Sequence, residues 1–159
     1  MKKFVFCFLL LFSFCANAQN LQRPKLVIGI VVDQMRWDYL YRYYDRYSSD
    51  GFKRLLNGGF SCENTFINHL PSFTGVGHAT IYTGSVPSLD GIAGNDWIDQ
   101  LTGKSVYCTS DSTVQPVGNS NALEGRMSPR NLLTTTITDE LRMATNFRSK
   151  VVGVSLKDR

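Results

Sequence analysis

The sequence predicts an α/β protein, a three-layer α/β/α sandwich with a largely parallel sheet. Three observations carry this. Residues Lys25 to Val32 (KLVIGIVV) form an unbroken apolar run rich in β-branched side chains, the pattern of a strand covered on both faces. Lys150 to Val154 is a second short apolar run, and it follows a stretch with helical spacing. Strands and helices alternate between the two, as expected of a parallel sheet with helical crossovers.

The elements follow in order. After the first strand, QMRWDYLYRYYDRY places Leu40, Tyr43, Tyr44 and Tyr47 at helical spacing, and a short helix around Phe52 to Leu56 is stopped by Gly58-Gly59. Phe60 to Phe66 reads as a further strand. The next helix is expected from just after Thr74 to about Tyr82, with Gly84 available as its cap. Residues 85–96 (SVPSLDGIAGND) are loop by composition, and Lys104 to Val117 is expected to hold a strand pair. Ser128-Pro129 signals a helix start, a capping serine with proline at the first helical position. That helix is expected to turn Leu132, Leu133, Ile137 and Leu141 towards the core and to end near Thr145.

The first residues read as an address. Lys2 and Lys3 precede the apolar run Phe4 to Phe14, and Ala16-Asn17-Ala18 offers small residues where a signal peptidase reads, so residues 1–18 are expected to be a secretory signal cut after Ala18. The run is short for a membrane span, and Phe14 is bulky where a lipoprotein site at Cys15 would want a small residue. Export to the periplasm or medium, with no stable membrane anchor after cleavage, is the expectation. The signal holds two of the 17 basic residues and none of the 13 acidic ones, leaving a net charge of +2. No basic run remains, which argues against nucleic-acid binding. Cys62 and Cys108 remain in a compartment that permits a disulfide, but neither sits in a metal-binding cysteine pattern.

Ligands of open α/β sheets bind beyond the carboxyl ends of the strands, and that rule selects the candidates for chemistry. Asp33 is the first residue off the first strand, and Lys157 and Arg159 lie just past the last one. Thr74 stands at the start of a glycine-containing helix, where free N–H groups and the helix dipole favour an anion. A carboxylate, a hydroxyl and two cations so placed suggest phosphate chemistry with a metal. Each residue also has an ordinary structural role open to it: Asp33 and Thr74 as helix caps, Asn95 as a turn residue, Lys157 and Arg159 as surface charges. His78, one turn into the helix, is better explained by a structural hydrogen bond than by catalysis, and His69 is the other histidine present.

With VVDQMRWDYL, NHLPSFTGVGHATIYTGSVPS, GIAGNDW, SVYCTSD, VQPVG and VVGVSLKDR, the chain resembles the bacterial periplasmic alkaline phosphatases of the threonine-nucleophile (PafA) type. They belong to the alkaline phosphatase / nucleotide pyrophosphatase superfamily. The similarity runs from about Pro24 to Arg159, with the motifs in the family's order and spacing. It implies an alkaline-phosphatase-like fold and zinc-dependent hydrolysis of small-molecule phosphate monoesters through a phospho-threonine intermediate. It also implies a role for each candidate. Asp33 ligates one of two zinc ions, Thr74 is the nucleophile and touches zinc, Asn95 hydrogen-bonds a phosphoryl oxygen, and Lys157 and Arg159 contact the remaining oxygens. The other aspartate and histidine ligands of that family find no counterpart in these 159 residues, which contain no HxxxD or DH pair. Residues 19–159 therefore read as the N-terminal part of a catalytic domain, truncated and expected to be inactive alone. The Lys157-Asp158-Arg159 cluster favours a monoesterase over a type I phosphodiesterase or nucleotide pyrophosphatase of the same superfamily. A non-catalytic periplasmic binding module on this fold is a third reading. A sulfatase is excluded, since residues 74–78 read Thr-Gly-Val-Gly-His where its C/S-x-P-x-R frame would stand.

Overall fold

The computed structural model describes residues 24–118 and 124–159; the expected signal, 1–18, lies outside the described residues. The chain divides into two units, Met1–Val31 and Val32–Arg159. In the first, the described residues carry no regular secondary structure, and Leu26, Val27, Ile28 and Ile30 are all exposed.

The second unit holds the helices α1 (Tyr39–Arg42), α2 (Phe52–Gly58), α3 (Thr74–Thr83), α4 (Pro87–Asp90) and α5 (Ile137–Ala144). Its strands are β1 (Asp96–Ile98) and β2 (Ser105–Tyr107), and 3-10 turns stand at Tyr44–Arg46 and Pro129–Asn131. Among the described residues the sheet is two-stranded and antiparallel, with Asp96 opposite Tyr107, Trp97 opposite Val106 and Ile98 opposite Ser105. The parallel sheet and its covering helix layers are thus not formed by the described residues alone. Residues 25–32, 60–66 and 150–154 run without strand pairing. A strand exists only when a neighbour takes up its backbone N–H and C=O groups, however apolar its side chains. None of these three segments has such a neighbour among the described residues.

Local signals fared better. Gly84 closes α3 in the left-handed conformation at φ +66°, its N–H donating to Thr80 O at 2.9 Å. Gly59 closes α2 by donating to Leu55 O. Ser128 caps as expected, its Oγ accepting from Arg130 N–H, but the helix it opens is a single 3-10 turn. The expected long helix is interrupted: Leu132 turns extended at ψ 121°, and α5 begins afresh after Thr136. Two sequence features explain the break. Thr134-Thr135-Thr136 is a β-branched run that resists the helix, and Thr136 forms a capping box with Asp139, donating and accepting across the first turn. Leu133, Ile137 and Leu141 are exposed, contrary to the expectation that they face a core.

The strand expected within 104–117 is β2, but its partner β1 comes from the end of the expected loop. The turn between them is held by Asp99, whose Oδ1 accepts from the N–H groups of Leu101 and Thr102, with Gly103 at φ +68°. The packed centre is small: Val76 of α3, Ile92, Cys108, and the carboxylates of Asp90 and Asp111. Asp111 accepts from Thr113 N–H and Oγ1 and from Ser128 Oγ at 2.6–2.9 Å, with Arg130 at 3.5 Å. These bonds, led by that of Ser128, hold its carboxyl well below the usual carboxylate range. They also staple residues 109–111 to 126–128 beside the backbone pairing of Ser110 with Met127.

Candidate active site

Thr74 is the first residue of α3, and the cap position before it is Phe73, which has no side-chain oxygen to give. The N–H groups of the first turn therefore need acceptors from elsewhere. One comes from 20 residues away: Asn95 Oδ1 accepts the Gly75 N–H at 2.8 Å. The N–H groups of Thr74 and Val76 have no partner among the described residues. Thr74 thus presents a half-buried hydroxyl beside unpaired donors, at the positive end of a ten-residue helix.

The same bond fixes which way the Asn95 amide faces. Its oxygen is committed to Gly75, so its Nδ2 is the group left to donate elsewhere. Its main chain is fixed too, because Cys108 N–H donates to Asn95 O at 2.8 Å, extending the β1–β2 pairing by one step. Close packing completes the bracket. A Cβ at Gly75 would stand 3.2 Å from Cys108 Sγ, 3.3 Å from Asn95 Oδ1 and 3.4 Å from Gly94 O, so glycine is what lets α3 seat against the hairpin.

Arg159 reaches the other side of Cys108. Its Nη1 donates to Tyr107 Oη and lies 3.7 Å from Asp158 Oδ1, and its guanidinium sits 5.5 Å from the Tyr107 ring centre. Burial pushes the Cys108 thiol up, while Arg159 pulls it down and Asp158 up by smaller amounts. Three predicted residues therefore gather around one scaffold: Thr74 and Asn95 through Gly75, and Arg159 through Tyr107 and Cys108.

Asp33 and Lys157 are not gathered in. Both are exposed, and among the described residues no hydrogen bond or ion pair ties either side chain to the others. His78 Nδ1 donates to Thr74 O at 2.7 Å within its own helix, and His69 Nε2 stands 3.4 Å from Thr80 Oγ1. Cys62 and Cys108 are free thiols, the first exposed and the second buried. Sequence reasoning missed Gly75, Tyr107 and Cys108 as parts of the site, since no spacing rule links them to Thr74. A separate cavity of about 350 Å³ lies at the other end of α3, lined by Tyr82, Thr134, Thr135, Thr136 and Glu140 among others. It carries no cationic side chain and is no counterpart for a phosphate.

The zinc ions implied by the resemblance need about four ligands each. Among the described residues no three His, Cys, Asp or Glu side chains come together, so these residues do not by themselves make a metal centre. Asp33 and Thr74 are the two oxygen donors of the expected set that this segment carries.

Residues 27–157 match the family described as type I phosphodiesterase / nucleotide pyrophosphatase. The chain belongs to that family. A relative from Elizabethkingia meningoseptica named alkaline phosphatase PafA is 66% identical over 137 residues, covering 86% of this chain and 25% of the relative. A relative from Myroides odoratus, named calcium-transporting ATPase, is 63% identical over 149 residues, covering 93% of this chain and 27% of the relative. The crystal structure of a PafA variant superposes with a TM-score of 0.83 at 64% identity, over 86% of this chain and 26% of that one. The fold is therefore alkaline-phosphatase-like. The chain spans about a quarter of the length of the curated relatives it matches.

Proposed function

We propose that the complete protein is a zinc-dependent alkaline phosphatase that hydrolyses small-molecule phosphate monoesters through a phospho-Thr74 intermediate. The observation that carries this is the placing of Thr74 at a helix start whose Gly75 N–H is taken up by Asn95 Oδ1, which leaves the Asn95 Nδ2 free to donate beside it. The PafA variant supports the same residue set. It is altered at a threonine, an asparagine, a lysine and an arginine separated by 21, 62 and 2 residues, the spacing of Thr74, Asn95, Lys157 and Arg159. Export to the periplasm and an α/β sandwich completed by the rest of the polypeptide belong to this proposal.

Thr74 Oγ1 attacks phosphorus as the ester oxygen leaves, and water then cleaves the threonine–phosphorus bond. Asp33 and Thr74 would be among the residues that hold two zinc ions, which when bound would supply Lewis-acid stabilisation of the attacking and leaving oxygens. The transferring group keeps its charge on the outer oxygens, so fixed donors matter most. Asn95 Nδ2 and the α3 N–H groups meet one side of it, Arg159 offers a planar fork, and Lys157 offers a compact charge.

The phosphodiesterase reading is the alternative, since the family description includes it. A monoester presents three outer oxygens and a diester two, so Lys157 and Arg159 should serve the monoester. The test is kcat/KM of the zinc-loaded complete enzyme for an aryl phosphate, a methyl aryl phosphate diester and ATP. Thr74→Ala should nearly abolish turnover, Thr74→Ser should keep a sizeable share, and trapped phosphate should map to residue 74. Lys157→Ala or Arg159→Ala should cost monoester hydrolysis roughly 10²–10³-fold and diester hydrolysis much less. Equal losses on both esters would favour the diesterase. No turnover of any phosphate ester would leave the non-catalytic module.

A further inference from the structure

We propose that Tyr107 is a positioning residue, which together with Asp158 grips Arg159 by one corner of its guanidinium and leaves the rest for a phosphoryl oxygen. The inference rests on the reading of Arg159 as a phosphoryl-binding residue. A guanidinium on a flexible side chain loses rotamer freedom when it binds an anion, and a prior grip removes part of that cost. The grip here is built from three contacts. Arg159 Nη1 donates to Tyr107 Oη, Tyr107 Oη in turn donates to Asp158 Oδ1 at 2.9 Å, and Asp158 Oδ1 lies 3.7 Å from Arg159 Nη1. The phenol is therefore used in both directions, accepting from the cation and donating to the carboxylate. The ring adds an electrostatic contact with the guanidinium at 5.5 Å.

What the grip leaves over points to a ligand. Nη1 is committed, while Nη2 takes no hydrogen-bond partner among the described residues and the side chain keeps about a quarter of its surface exposed. A guanidinium N–H left free on a held cation is a donor for an anionic oxygen, and a phosphoryl oxygen is an acceptor of the right charge. Tyr107 also stands at the right place in the chain to link two binding groups. It pairs with Asp96, next to Asn95, while Cys108 beside it bonds the Asn95 main chain. One short hairpin thus sets the Asn95 amide and the Arg159 guanidinium relative to each other. Arg159 lies 52 residues from Tyr107, so the link is tertiary.

Tyr107→Phe separates the hydroxyl from the ring, since it keeps the packing and the ring contact and removes only the gripping oxygen. The measurement uses the zinc-loaded complete enzyme in wild-type, Tyr107→Phe, Arg159→Ala and doubly substituted forms. For each, kcat/KM is determined for the aryl monoester and the methyl aryl diester, with the inhibition constant of inorganic phosphate. Tyr107→Phe should weaken phosphate binding and monoester kcat/KM roughly 10-fold, the lower end for groups that orient a ligand-binding side chain. Diester kcat/KM should change much less. With Arg159 already alanine, the added loss should be under about 2-fold, because a residue acting through Arg159 has nothing left to position. A Tyr107→Phe loss of equal size with and without Arg159, or equal on both esters, would overturn the inference and mark a general structural role. So would no loss at all in the presence of Arg159. If Arg159→Ala itself leaves phosphate inhibition unchanged, the phosphoryl-binding reading of Arg159 fails first, and this inference with it.

Discussion

Replacing Gly75 by alanine tests the seam on which the candidate site is built. The new methyl would meet Cys108 Sγ at 3.2 Å and Asn95 Oδ1 at 3.3 Å, both tighter than ordinary contact, and Gly94 O at 3.4 Å, at the edge of it. Two effects oppose each other. Alanine favours a helix over glycine by about 1 kcal/mol, while forcing a methyl into a packed seam costs about 1–3 kcal/mol. The overpacking should win, because Cys108 is buried and Asn95 is held at both its side chain and its main chain. We expect net destabilisation of about 1 kcal/mol. The functional effect should be larger than the stability effect. The methyl pushes on the oxygen that aims the Asn95 amide, and misplacing a positioned group by 1 Å costs up to roughly 10²-fold. A shift of a few tenths should therefore lower monoester kcat/KM about 3- to 10-fold. Thermal unfolding and steady-state kinetics on the zinc-loaded complete enzyme read the two quantities separately. Wild-type stability together with wild-type kcat/KM would refute the seam, and with it the use of Asn95 Oδ1 as an acceptor for α3.

Two further substitutions probe single bonds. Asn95→Asp keeps an oxygen for the Gly75 N–H but replaces the Nδ2 donor with negative charge, so unfolding should stay near wild type while monoester kcat/KM falls at least about 10²-fold. Near-wild-type turnover would return Asn95 to a purely structural role. Asp111 sets an acid limb. Its carboxyl is depressed when folded, so its stabilisation is fully present above the unfolded value of about 3.9 and is lost as pH falls towards the folded one. Asp111→Asn should be less stable than wild type at neutral pH, and its unfolding temperature should fall less between pH 5 and pH 3. Parallel curves would show that the bonds from Ser128 and Thr113 do not favour the charged form.

Much of this protein was legible residue by residue because some signals are local. Gly84 ends α3 since glycine takes the left-handed conformation without a Cβ penalty, and Ser128 caps since its oxygen reaches two residues along the chain. Thr74 at a helix start was legible for the same reason. The long helix from Ser128 was misjudged because one local signal, the capping box at Thr136, outcompeted the apolar spacing that crossed it. By itself the sequence determined the stops of α2 and α3, the cap at Ser128 and the charge balance, and it offered the residue types proposed for a phosphate site. Only the tertiary structure decided that β1 pairs with β2, that the Asn95 oxygen faces Gly75, and that Tyr107 holds Arg159. These contacts join residues 11, 20 and 52 positions apart, where no periodicity or capping rule reaches. Side-chain composition declares what a segment would bury; which backbone and which donor it meets is settled only when distant parts of the chain pack together.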